Sequence, residues 1–125
     1  MEDIIGSFAR RSGVLPMIAS MALPMITRYF LKKAPPQNAS GLMSMLPSGL
    51  KDIFSDDEKN EFTTKQENVS QDQVERELAD KCFNGDKAQA HKAFQEGRKL
   101  LTEKTGQQGQ GIIEGLSGNS DQHQV

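Results

Sequence analysis

Residues 70–101 read SQDQVERELADKCFNGDKAQAHKAFQEGRKLL, and this stretch decides the fold. Ser70 with Gln73 three residues on has the form of a capping box, in which a hydroxyl accepts from an amide that the first helical turn leaves orphaned. Behind it Val74, Leu78, Ala79, Cys82 and Phe83 fall on one stripe at helical spacing. Asn84-Gly85 stops the helix, because these two residue types tolerate the left-handed backbone of a helix end. Asp86 then caps a second helix, which carries Ala90, Phe94, Leu100 and Leu101 toward one side. Two amphipathic helices joined by Asn-Gly-Asp predict an antiparallel helical hairpin over residues 70–105.

Toward the C-terminus the pattern changes. From Gly106 the chain is rich in Gln, Gly and Ser, with one apolar island at Ile112, Ile113 and Leu116. An island of that size builds no core of its own, so residues 106–125 are expected to form a disordered tail. Toward the N-terminus, residues 63–69 are polar and read as a linker. Ser55 and Glu58 form another capping box, opening a short helix whose sole apolar anchor is Phe62. Pro47 separates a turn over 48–54 from a segment carrying Leu42, Met43, Met45 and Leu46, for which Asn38 or Ser40 is the expected cap.

The first part of the chain is more apolar. A helix is predicted from Pro16 to about Lys33, ended by Ala34-Pro35-Pro36, with a kink or break near Ser20–Met21 caused by Pro24. Ile4, Ile5 and Phe8 place a further helix over residues 2–12, closed by Gly13. The expected fold class is therefore all-α, a small irregular helical bundle made of a methionine-rich, proline-interrupted helical unit over 1–62, the linker over 63–69, the C-terminal hairpin over 70–105 and the disordered tail.

The chain has 125 residues, enough for one domain. Its formal charge of −2 is unevenly spread, residues 1–54 carrying +3 and residues 55–125 carrying −5. Such a split suits mutual attraction of the halves or different partners, and it is too mild for a nucleic-acid footprint. One cysteine excludes an intrachain disulfide and a multi-cysteine zinc site. Arg10-Arg11 ahead of an apolar run imitates a secretory leader, but Glu2, Asp3 and two interrupting prolines argue against one. A cytoplasmic location is the expectation.

The most distinctive feature is Val14–Leu31, in which Met17, Met21 and Met25 recur every four residues beside Tyr29. Thioethers are flexible and polarizable, so a methionine-lined face adapts to varied partners. Met17, Met21, Met25, Tyr29, Met43 and Met45 are the candidate partner-binding residues, against the plainer reading that this helix is core. The function expected is a non-catalytic protein–protein interaction module or a self-associating one. The alternative is a peripheral membrane protein, since Arg10, Arg11, Arg28, Lys32 and Lys33 flank the apolar run and suit anionic lipid.

Catalysis finds little support. Cys82 and His91 are imaginable as nucleophile and base, but no third group orients them and no oxyanion donor accompanies them. Asp56, Asp57, Glu58 and Glu61 lack the alternating spacing and turn glycine of a calcium loop, and fit a helix N-terminus instead. No glycine-rich phosphate loop is present, and no cofactor is implied.

Leu15-Pro16-Met17-Ile18, followed past a polar gap by Gly41-Leu42-Met43, is similar to the bacterial YidB-type family of unknown function. The resemblance spans about residues 14–50 and implies no activity.

Overall fold

The computed structural model describes residues 3–122, with side chains through residue 116. Seven helices and no strand occur among them: α1 (Ile4–Ser12), α2 (Pro16–Lys33), α3 (Pro36–Met45), α4 (Ser48–Lys51), α5 (Asp56–Thr64), α6 (Gln71–Cys82) and α7 (Lys87–Gln122). The fold is all-α.

Most of the helix ends follow from local chemistry. Asp3 accepts from the Gly6 N–H at 2.7 Å and starts α1, and Gly13 closes it with φ of 70°. Ser55 accepts from the Glu58 N–H at 3.2 Å while Glu58 accepts from the Ser55 N–H at 3.4 Å, completing the capping box of α5. Ser70 and Asp86 accept from the amides of Gln73 and Gln89, each at 3.1 Å, and so cap α6 and α7. Between those two helices Asn84 and Gly85 both take positive φ, 52° and 87°.

Three boundaries depart from expectation. Helix α3 begins at Pro36, ahead of Asn38 and Ser40, and has no side-chain cap. A proline in the first turn gives up an amide that had no partner anyway and fixes φ near the helical value. Helix α2 runs unbroken through Pro24, which is buried inside it. Proline there removes one helical hydrogen bond, and packing of α2 against α1, α3, α6 and α7 offsets the loss. Helix α4 ends at Lys51, yet Phe54 beyond it is still buried.

Helix α7 consists of two arms that meet at Gly106, where φ is 75° and ψ −165°. On the second arm Ile113 is fully buried, and Ile112 and Leu116 pack against the same core. This corrects the expected disordered tail as far as residue 116. Three apolar side chains cannot form a core, but they can complete one that already exists. Residues 123–125 of that tail lie outside the described residues.

The core is continuous across both halves of the chain. Phe8, Leu23, Ile26, Phe30 and Leu31 from the first part meet Leu78, Phe94, Leu100 and Leu101 from the second, all shut off from solvent. Tyr29, Phe30 and Phe94 form an aromatic triangle with centroids 5.0 to 5.6 Å apart. Gly97 brings α7 close to α1 and α2: a methyl group there would lie 2.9 Å from Ile26 Cδ1 and 3.4 Å from Phe8 Cε1.

Electrostatics stitch the same seam. Arg11 to Glu103 (2.6 Å), Arg28 to Glu58 (2.9 Å) and Lys32 to Glu67 (4.0 Å) each join a cation of the basic half to a carboxylate of the acidic half. The polar stretch before α6 is also fastened down. The Glu67 N–H donates to the Lys32 carbonyl (2.8 Å) and Gln66 Nε2 to the Lys33 carbonyl (2.9 Å), satisfying oxygens that the end of α2 leaves open.

Candidate docking surface

The sharpest feature of the exterior is the corner between α1 and α2. Gly13 takes the left-handed conformation, and its successor Val14 donates to the Ala9 carbonyl at 3.0 Å, which turns the chain out of α1. Leu15 is the extended N-cap of α2 and Pro16 its first helical residue. The two helix axes meet at 103°. An N-cap residue lies outside the helical contacts, so its side chain is directed by the turn and not by the core-facing stripe.

The consequence is an apolar group left in water. Leu15 is 68% exposed, Met17 74% and Met21 46%, with Val14 and Ile18 half-buried beside them. Among the described residues the exposed large hydrophobics are these three and Ile53. Met17 and Met21 are one helical turn apart and lie on one face of α2, and Leu15 is exposed just ahead of the helix. Isolated exposed apolar residues are ordinary, whereas a contiguous group marks a contact site.

The candidate residues do not form one surface. Met17 and Met21 are at the corner, and Met25 is half-buried one turn further on. Tyr29 is 3% exposed within the aromatic triangle and Met43 is 8% exposed, so both belong to the core. Met45 is half-buried on α3. The four-residue repeat spirals slowly around α2, because four residues turn through more than one full helical period. It leaves the solvent face before it reaches Tyr29. Leu15 was not singled out by periodicity, and its signal was its place between the helix-ending Gly13 and Pro16.

Beyond Met25 the helix runs along a groove of about 340 Å³ between α2, the tied-down stretch and α6. Met25, Tyr29, Val69 and Val74 supply its apolar surface, and Arg28, Lys32, Lys81, Glu67 and Glu77 its charges. Two of those cations are already engaged. Arg28 holds Glu58 and sits 5.3 Å from the Phe54 ring, and Lys32 faces Glu67. Lys33 Nζ donates to the Val69 carbonyl at 3.3 Å and lies over the Tyr29 ring. The cations of the C-terminal half of α2 thus each face a partner within the chain.

The groups that suggested chemistry are apart from this corner. His91 Nδ1 lies 2.8 Å from Glu75 Oε2, which also accepts from Gln71 Nε2 at 2.9 Å. Cys82 is half-buried, and desolvation pushes its thiol pKa up, only partly countered by Lys81. Burial, and then the charge of Glu75, likewise raise the Tyr29 phenol. Among the described residues no three His, Cys, Asp or Glu side chains gather into a group that could hold a metal ion.

No family model, curated protein or solved structure matches the chain.

Among the described residues no single helix is long and apolar enough to cross a membrane. Helices α1 and α2 would pass together by length and composition, but they are bent by 103° and nine residues of α2 are buried.

Proposed function

We propose that this chain is a non-catalytic helical interaction module that docks through the α1–α2 corner. The observation that carries the reading is the grouping of Leu15, Met17 and Met21, three of the four exposed large hydrophobics among the described residues, at one turn. Unbranched thioethers adapt their shape to a partner, and every ångström squared they withdraw from water favours association. Burial shifts the Cys82 thiol pKa upward, the opposite of the lowering that marks an activated cysteine.

The test replaces methionine by its photo-reactive diazirine analogue in cells expressing the protein, followed by illumination and mapping of adducts. The expected result is that Met17 and Met21 carry intermolecular adducts while buried Met43 carries none. Met17→Asp/Met21→Asp, with an unchanged helical circular-dichroism spectrum and melting temperature, loses any association detected by light scattering. Absence of intermolecular adducts at both positions, or loss of the fold in the double variant, removes the reading.

A further inference from the structure

Apart from the corner, we infer that the second arm of α7, residues 107–122, is an exchange element. When Gly106 turns helical, the arm leaves its own bundle and docks on a second copy of this chain. Three observations around Gly106 support this.

The first is the brevity of the turn. Antiparallel helices are ordinarily joined by about two to five residues. Here one residue makes the bend: Gly106 has φ of 75° and ψ of −165°, and the chain is helical on either side of it. A change in one φ/ψ pair therefore joins the arms into a continuous helix. Glycine adopts the helical conformation without steric cost. Short hinges of this kind invite exchange between copies.

The second is the direction of the fold-back. Glu114 shares a shallow depression with Arg98, Lys99, Thr102 and Glu103, so the second arm lies back along the first. Ile112, Ile113 and Leu116 reach the core from this arm, at helical spacing behind the buried Gly109. In the straight form residues 107–122 extend about 24 Å past Gly106, at about 1.5 Å per residue. The three apolar side chains are then carried off their own core, and the surface they covered is open. A second straightened copy offers that same surface and needs the same three side chains. Two copies thus complete each other reciprocally about a two-fold axis. No new complementary face is required, because every contact except the bend itself already exists within one chain.

The third is a contact that only the bent form makes. A methyl group on Gly109 would overlap the Oγ1 and Cβ atoms of Thr105. Thr105 has little room to give: it is buried, and its hydroxyl donates to the Leu101 carbonyl at 2.7 Å. In a continuous helix, residues four apart keep their Cβ atoms about 5–6 Å apart, so the same methyl group clears Thr105. The bend requires glycine at position 109. The straight helix does not, and there alanine is the better residue.

The experiment is refolding of the full chain from urea at two concentrations about a hundredfold apart, followed by size exclusion with light scattering. At the higher concentration Gly109→Ala is expected to raise the dimer fraction over wild type by about tenfold or more. Gly106→Ala does the same, since each substitution penalises the bend alone. Gly111→Ala behaves as the wild type, because its Cβ meets open space in the bent form. In a dimer assembled from isotope-labelled and unlabelled chains, nuclear Overhauser contacts join the Ile113 methyls of one chain to the core of the other. A folded Gly109→Ala or Gly106→Ala chain that remains monomeric at both concentrations overturns the inference. So do dimers in which Ile113 stays on its own chain, and a Gly111→Ala chain that dimerises as strongly. Where one of the two variants does not refold, the other decides. Failure of both to refold also overturns the inference, since exchange would leave every core contact available.

Discussion

At the scale of single residues, the pair Arg11–Glu103 shows how the two halves of the chain are coupled. The Arg11 hydrogen bond is the main reason that the Glu103 carboxyl titrates below its usual range, with desolvation opposing it and the charges of Arg11 and Lys104 adding to it. A carboxylate whose folded pKa is depressed stabilises the fold above its unfolded pKa, and that contribution disappears as pH falls through the folded value. Glu103 is 55% exposed, so the effect is small and screened by salt. Glu103→Gln is expected to flatten slightly the fall in urea midpoint between about pH 6 and about pH 3, where the wild type loses this contact. An unchanged slope would show that the pair contributes nothing. Corner residues act differently: Leu15, Met17 and Met21 are identified by what they leave uncovered, and their substitution is expected to change binding without changing the fold.

At the scale of elements, the two arms of α7 supply the decisive comparison. Gly106 has a backbone conformation that essentially only glycine adopts, and nothing lies within 4 Å of the position its Cβ would occupy. The cost of a side chain there is conformational and not steric. Gly106→Ala is expected to destabilise by about 1–3 kcal/mol. Gly111, within the second arm, also has open space, and its φ is not positive. There alanine restricts the unfolded chain and favours helix, so Gly111→Ala is expected to stabilise by roughly 0.5–1 kcal/mol. Melting temperatures that move in opposite directions confirm the elbow, and two shifts of the same sign contradict it. At this scale the sequence was most readable. Ser55, Ser70, Asn84-Gly85 and Asp86 act within a few residues of themselves, so their caps and turns need no knowledge of distant contacts.

At the scale of the whole molecule, Ile113 tests whether the second arm of α7 belongs to the core. It is fully buried on an arm otherwise rich in Gly and Gln. Ile113→Ala is expected to cost about 2–5 kcal/mol, read from the urea midpoint. A residue in a disordered tail would cost nothing measurable, so a change below about 0.5 kcal/mol would return this segment to the solvent. The arm was misread because composition averages over ten or more residues, whereas docking depended on three side chains and a surface supplied by the rest of the bundle. The same blindness affected the methionine repeat. Spacing alone placed Met17, Met21, Met25 and Tyr29 together, but Tyr29 is buried against Phe30 and the Phe94 ring of α7, whereas the two methionines nearest the turn are left in water.

The sequence by itself determined the all-helical class, the capped starts of α5, α6 and α7, the Asn-Gly turn and the stop at Gly13. Each of these is enforced by backbone preferences and hydrogen bonds within one helical turn. Tertiary structure alone decided that α2 would continue through Pro24, that both halves would share one core, and which side of the methionine-rich helix would stay exposed. Those outcomes depend on which surfaces meet, and the balance is struck among side chains far apart in the chain, where local propensity carries no information.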